Sequence, residues 1–598
     1  MNPPVLTRKM TYLRALFLPF SVAPVTTTIQ LIFQLINLAA APVKILILAK
    51  FIDITLEVVT DTGDWSRVLP PLFILGAVNL YTYFVGPLLS LASLKQQQKA
   101  WLVIGHPMVK TYTALEIKHM ENRETVDLTH RVMDENPPHE MLMGIWGNFT
   151  GFLFSLGQVV SYAIILVAAA PLAGAVTIAA ALPVIMMAQR AAKEKFKMNQ
   201  DLSRHNRMRS YHLHFQRNRE AAAERKLFGY MPMLHQKYLD VFHTIRRLTF
   251  NMELKWNLRD NLANFLLACI GVSALLMMLP SVRNGNISAG IFIALIGVLF
   301  SALSYVTWSL SHYFQTFTRQ REYLKEFNRY MELSRTRGAL DNMSVNPPVF
   351  KSLELINVSF SYPGTGKQVL NNITLLIEAG KRYSIVGANG CGKTTLAKLL
   401  LRLYDDYTGE ILLNGIPLKH WAMSDIKSMF TAVFQHFTQY DISVADNIAV
   451  GGGLRSSEYE IDRAIEIVGL KPAVSELKDG KSTLIGKIHE DSVELSVGQW
   501  QRIAIARTIV SPAQVKILDE PTAALDPIAE QEVYRQFSEI SRGAATIFIS
   551  HRLASARIAD VIFVMENGKI VERGSHDTLV AKHGLYTKMF ESQRGWYV

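Results

Sequence analysis

The chain runs to 598 residues but holds only two cysteines, Cys269 and Cys391, so no disulfide framework holds it together. Charged residues are scarce as well, at 19%, below the roughly 25% of ordinary soluble domains. The scarcity is uneven. Up to about residue 310 long apolar runs alternate with basic segments, whereas from about residue 345 the composition is that of a soluble α/β protein. One soluble core is thereby excluded. A signal-peptide cleavage site is also missing: MNPPVLTRKMTYLRALFLPF starts basic and turns apolar, but the apolar character outlasts a signal core and no small-residue site closes it. Lys and Arg outnumber Asp and Glu by 62 to 50, a formal charge of +12. The excess lies beside the apolar runs, where cytosolic flanks of membrane helices collect it, and so does not indicate nucleic acid.

Six runs are long enough to cross a bilayer, at about 20 residues each: 20–52, 68–94, 140–168, 171–191, 257–280 and 287–312. Arg8, Lys9 and Arg14 precede the first, and the connections after the second and fourth are long and basic. The connection after the first is acidic, with Asp53, Glu57, Asp61 and Asp64. This asymmetry predicts cytosolic N- and C-termini. The two long connections are charged and helical in pattern, so the membrane helices should extend into the cytosol and carry transverse tips near HMENRETVDL (119–128) and REAAAERKLFGY (219–230).

Polar residues interrupt the spans at helical spacing. Gln30, Gln34, Asn37 and Lys44 share one face, and similar stripes run through Asn257, Asn261 and Asn264 beside Asp260, and through Ser301, Ser304, Trp308 and Ser311. Such faces either line a hydrated path or bond neighbouring helices, with Lys44 reaching a headgroup region. The pattern leaves both readings open.

In the second half an apolar strand, KRYSIV, leads into GANGCGKTT from Gly387 and then a helical run. Glycines let backbone N–H groups wrap phosphate, Lys393 reaches the β and γ phosphates, and Thr394 can ligate Mg²⁺. Gly387, Asn389, Gly390, Cys391, Gly392, Lys393, Thr394 and Thr395 form this candidate loop. Downstream VKILDEP ends an apolar strand in Asp519, placed to hold Mg²⁺, and Glu520, placed to act as general base on the attacking water.

In this order and at these spacings the motifs resemble the ATP-binding cassette superfamily, over the whole chain. The resemblance implies further roles: Tyr362 as the aromatic that stacks on adenine, Gln435 as the link between Mg²⁺, water and the membrane part, Asp526 in the loop between subunits, and His551 on the γ-phosphate. Ser496, Gly498 and Gln499 match the signature that closes the opposite subunit's site. The implied architecture is an α-helical six-span membrane domain of the type I (type IV) exporter fold, exchanged between two subunits, followed by an α/β P-loop ATPase domain. Expected boundaries are 1–320 for the membrane domain, 321–345 for a linker and 346–598 for the nucleotide-binding domain. The cofactors implied are ATP and Mg²⁺, and the expected location is a bacterial inner or plasma membrane. One cassette cannot complete a site, so a second half-transporter is expected, the same chain being favoured over a different one. SVGQWQRIAIAR, AERKLFGY and MENRETVDL are similar to bacterial exporters of lantibiotics and related modified peptides. Multidrug or lipid export, one half of a heterodimeric exporter, a regulatory cassette ATPase and import are the competing readings. About 20 residues precede the first span and neither cysteine lies there, so leader cleavage by this chain is not expected.

Three positions depart from the pattern. LSVGQ carries Val497 where the family has glycine, which is expected to stiffen the backbone and impair rather than abolish the site. Lys516 interrupts the strand before Asp519, its ammonium expected to reach an edge. Cys391 stands at a helix N-terminus, where a thiol pKa tends to fall, so alkylation is expected to inhibit ATPase activity and bound ATP to protect.

Overall fold

In a computed structural model of the chain, residues 9–594 are described except 61–63, 219–220, 306–308, 310, 454–455, 523–529, 531–532, 534–542 and 551–554. The chain divides into two compact units, residues 1–109 with 127–332 and residues 110–126 with 333–598.

The first unit is helical. Its elements are α1 (Tyr12–Val22), α2 (Pro24–Thr60), α3 (Leu69–Ala100), α4 (His106–Thr113), which enters the other unit together with α5 (Ile117–Glu121), α6 (Arg123–Met133), α7 (Pro138–Ala169), α8 (Pro171–Arg217), α9 (Ala222–Phe228), α10 (Met231–Arg283), α11 (Ala289–Ser304) and α12 (Ser311–Met331). Among the described residues three helical stretches are by themselves long and apolar enough to cross a membrane: Pro24–Thr60, Trp65–Thr113 and Pro138–Ala169. The fourth expected run begins α8, the fifth lies within α10, and the sixth contains α11, with 306–308 and 310 lying outside the described residues. The first run is not one helix with its lead-in. Ala23 leaves helical geometry and Pro24 starts α2, where its missing N–H costs nothing. α1 is tied back by Asn328, whose side chain accepts from Met10 N at 2.7 Å and donates to Met10 O at 2.9 Å.

The two expected tips are helices. α9 ends at Gly229, whose φ of 61° terminates it, and it leaves Leu227 and Phe228 exposed. Asp53 is not in a loop, because α2 continues to Thr60. Its carboxylate accepts from Gly290 N (2.7 Å) and Ser288 Oγ (2.6 Å), capping α11. The polar stripe Gln30, Gln34, Asn37 and Lys44 is half-buried on α2, and among the described residues the buried Gln34 Oε1 has no hydrogen-bond partner. Asn257 and Asn261 are exposed on α10, while the side chains of Asp260, Asn264, Ser304 and Ser311, and Trp308 altogether, lie outside the described residues; Ser301 is half-buried.

The second unit contains two sheets. β1 (Ser352–Ser361), β2 (Gln368–Glu378), β4 (Thr408–Leu413) and β5 (Ile416–Pro417) form an antiparallel sheet of order β2-β1-β4-β5. β3 (Arg382–Gly387), β6 (Phe430–Val433), β7 (Val515–Asp519), β8 (Ala545–Ile549), β9 (Val561–Glu566) and β10 (Lys569–Gly574) form the other, of order β10-β9-β3-β8-β7-β6 and parallel except at β10. Helices α13 (Lys393–Leu400), α14 (Met423–Met429), α15 (Val444–Ala449), α16 (Glu458–Ile467), α17 (Lys471–Ser475) and α18 (Val497–Val510) follow in chain order. β3, β7 and β8 are buried almost throughout, as parallel strands covered on both faces must be.

Lys516 does not reach an edge. It is buried between Thr431 and Thr546 of the neighbouring strands, and its Nζ donates to Thr508 O at 2.9 Å. Burial lowers its pKa from 10.5 to about 8. The unfolded chain therefore holds this proton more tightly, which costs the folded state roughly 2–3 kcal/mol below pH 8 and is relieved as pH rises towards 10.5. Lys516→Met is accordingly expected to raise the melting temperature of the purified protein at pH 7, with the gain shrinking by pH 9.5. An equal gain at both values would contradict the account.

Candidate nucleotide site

The parallel sheet brings the ends of β3 and β7 side by side, one strand apart across β8. Loops that leave the carboxyl ends of parallel strands form the binding crevice of open α/β sheets. After β3 the chain turns through Gly387–Gly392 into α13. Gly392 caps the helix at φ 106°, and a side chain there would meet Leu370 Cδ2 at 2.8 Å. Gly387 tolerates none either, because a Cβ would lie 2.3 Å from the carbonyl of Met565 on β9. The loop is thus held by its two neighbours in the sheet layers. Lys393 is buried, with Nζ donating to Gly387 O (2.8 Å) and Ala388 O (3.1 Å), so its ammonium lies inside the loop's curve. Asn389 is exposed at the loop's turn, and Gly390 follows in a left-handed conformation.

Cys391 corrects the expectation of a reactive thiol. It is buried in the core between the two sheets, and burial pushes the thiol up, against the opposing pull of Lys393. The helix N-terminus is outweighed by desolvation, so an alkylating reagent meets a protonated, enclosed sulfur.

Asp519 closes β7. It is buried and accepts a hydrogen bond from Thr394; burial raises its pKa. Among the described residues its buried Oδ2 has no hydrogen-bond partner. A buried carboxylate oxygen left unpaired next to a threonine hydroxyl fits a hard, oxygen-liganded cation such as Mg²⁺. Glu520 follows in a left-handed conformation, φ 50°, unusual for a non-glycine residue. Its backbone is fixed by Ile549 O (2.8 Å) and by Gln501 Nε2 on its own carbonyl (3.2 Å), and its carboxylate accepts from Gln435 Nε2 at 2.9 Å. Gln501 had no place in the sequence reading; it lies beside the signature, buried on α18.

Tyr362 is half-buried. Its hydroxyl lies 3.0 Å from Thr395 Oγ1, and Phe360 and Tyr404 meet its ring at 78° and 84°. The signature residues start α18: Ser496 is its N-cap, accepting from Gln499 N (3.2 Å), while the Gln499 side chain accepts from Ser496 N (2.8 Å). Gly498 follows within the first turn. Val497 is the first helical residue, 62% exposed and with no positive φ, so valine is accommodated at the helix start without backbone strain. Asp526 and His551 lie outside the described residues.

Residues 370–523 match the ABC transporter family, ABC_tran. Over 545 residues, 90% of this chain and 87% of the relative, the chain is 28% identical to the subtilin transport ATP-binding protein SpaT of Bacillus subtilis. It is 41% identical to the ATP-dependent lipid A-core flippase of Pseudomonas aeruginosa, but over 237 residues, 40% of the chain and 39% of that protein. The fold is that of a bacterial Atm1-family ABC exporter solved with ATP bound, at TM-score 0.78 and 21% identity, covering 96% of this chain and 99% of that one. An ABC ATPase domain behind a helical membrane region, matched along its length in sequence and in fold, places the chain among the ATP-binding cassette transporters as a half-size exporter.

Proposed function

We propose that the chain is one subunit of a dimeric ATP-driven exporter of a modified peptide. The observation that carries the cargo class is where the likenesses extend. Similarity to the subtilin transport protein runs through the membrane half, 90% of the chain, whereas similarity to the lipid A-core flippases covers about two fifths of it. Cargo is selected in the membrane half, so the first likeness bears on cargo and the second mainly on the motor.

In this reading Lys393 turns from the loop carbonyls to the β and γ phosphates, and the N–H groups of Gly390, Cys391 and Gly392 wrap them. Thr394 and Asp519 would hold Mg²⁺, with Gln435 completing the set; when bound it would supply positive charge to offset that of the phosphates. Glu520 takes a proton from the attacking water, Gln435 and Gln501 keeping its carboxylate and backbone in place. Ser496 and Gly498 serve the site of the other subunit. A dimer is also supported by Leu227 and Phe228, which are 77% and 66% exposed on the short helix α9, an apolar tip suited to a partner's cassette. ATP binding closes the cassettes and opens the cavity outward, hydrolysis resets it, and the half-buried polar face of α2 lines the path. Both termini are cytosolic.

Proteoliposomes tested with a modified peptide, a lipid and a cationic drug are expected to take up the peptide on addition of ATP. Hydrolysis without net transport of any of them would favour a regulatory ATPase, and lipid movement alone a flippase. For Val497, whose side chain is exposed rather than strained, the remaining effect is bulk at the seam between subunits. Val497→Gly is expected to raise the ATPase rate of the purified protein several-fold. If both forms are inactive without a second cassette protein, the partner is a different chain.

A further inference from the structure

The short helix α5 belongs to the same compact unit as the nucleotide site. Two ionic contacts and a hydrogen bond pin it there. Lys118 Nζ reaches Asp406 Oδ2 at 2.8 Å, the Glu121 carboxylate accepts from Lys398 Nζ at 2.7 Å, and its second oxygen accepts from the Tyr404 hydroxyl. Lys398 stands one turn after Thr395 on α13, so both occupy one face of the helix that begins at the phosphate loop. From that face Thr395 bonds the Tyr362 hydroxyl, and Lys398 Nζ lies over the Tyr362 ring, 5.5 Å from its centroid. Tyr404 touches both ends of this arrangement, bonding Glu121 and packing edge-on against Tyr362.

We propose that Lys398, seated by Glu121 of α5, is a positioning residue for Tyr362, so that the docking of α5 sets the affinity of the site for the base of the nucleotide. This rests on the reading of Tyr362 as the adenine platform. An ammonium over an aromatic ring at this distance is attracted by the ring's quadrupole and fixes its attitude. The Glu121 carboxylate fixes the ammonium in turn, at side-chain exposures of 21% for Lys398 and 40% for Glu121, where solvent only partly screens the pair. Binding linkage is reciprocal: if α5 docking favours the base, a bound base favours α5 docking by the same factor.

The test is steady-state ATPase kinetics of the full-length protein in lipid, with tripolyphosphate, which has no base, as competitive inhibitor. Lys398→Gln and Glu121→Gln are expected to raise the KM for ATP about fivefold, kcat to fall by less, and inhibition by tripolyphosphate to stay as in the parent. Lys398→Arg, which keeps both contacts and checks folding, stays close to the parent. The double exchange Glu121→Lys with Lys398→Glu restores the ion pair but puts no cation over the ring, so its KM remains raised. Tyr362→Ala serves as reference. If Tyr362→Ala raises KM and Lys398→Gln does not, the positioning role is overturned and the adenine reading stands. If Tyr362→Ala leaves KM unchanged, the adenine reading fails and takes the proposal with it. Full rescue by the double exchange, or a parallel loss of tripolyphosphate inhibition, would also overturn it.

Discussion

Glu520→Gln is expected to lower the ATPase kcat by about 10² to 10⁴-fold, the contribution of a positioned general base, while ATP still binds. The substitution is conservative everywhere except at the proton. Glutamine keeps the length of the chain, its carbonyl can accept from Gln435 Nε2 as the carboxylate does at 2.9 Å, and the backbone anchors at Ile549 O and Gln501 Nε2 do not involve the side chain. What is lost is the negative charge and the basic oxygen. Phosphate release at saturating ATP, set beside retention of radiolabelled nucleotide, checks this. A rate above one tenth of the parent would mean that another group takes the proton.

Lys393→Ala has the other large effect, and here binding fails before chemistry. The Lys393 ammonium donates to the carbonyls of Gly387 and Ala388. Removing it takes a donor from the buried Gly387 carbonyl, at a cost of about 1–3 kcal/mol, while Ala388 O keeps Cys391 N at 3.3 Å, and it removes the cation that would meet the β and γ phosphates. The variant is expected to melt somewhat lower without nucleotide, and to lose the rise in melting temperature that ATP gives by mass action. Hydrolysis should fall at least about 100-fold. An unchanged ATP-induced shift would remove Lys393 from the phosphate contacts.

The candidate site was readable because its chemistry is local. GANGCGKTT between a strand and a helix, and VKILDEP at the end of a buried strand, each specify a backbone path by composition within a few residues, and the structure puts them at strand ends separated by one strand. The long-range part was not readable. Nothing in the spacing around Cys391 reveals that the other sheet covers it, and nothing around Lys516 reveals that the Thr508 carbonyl waits for its ammonium. The break at Ala23 and Pro24 lies inside one continuous apolar run, whose length alone does not place it. Glu121 and Lys398 are 277 positions apart, each an ordinary charged residue on an ordinary helix, and only the fold makes them a pair. The capping of α18 is a different case: S-x-x-Q is a recognisable helix start, and the same Ser496 and Gln499 belong to the signature that the resemblance assigns to the opposite subunit's site.

That capping has a consequence for when two cassettes come together. Ser496 and Gln499 answer each other's backbone N–H groups, so two of the donors at the start of α18 are already engaged. A second cassette arriving empty gains little there, whereas a phosphate can compete for the same N–H groups with charge-assisted bonds. In the proposed exporter this competition would tie the closing of the seam to bound nucleotide.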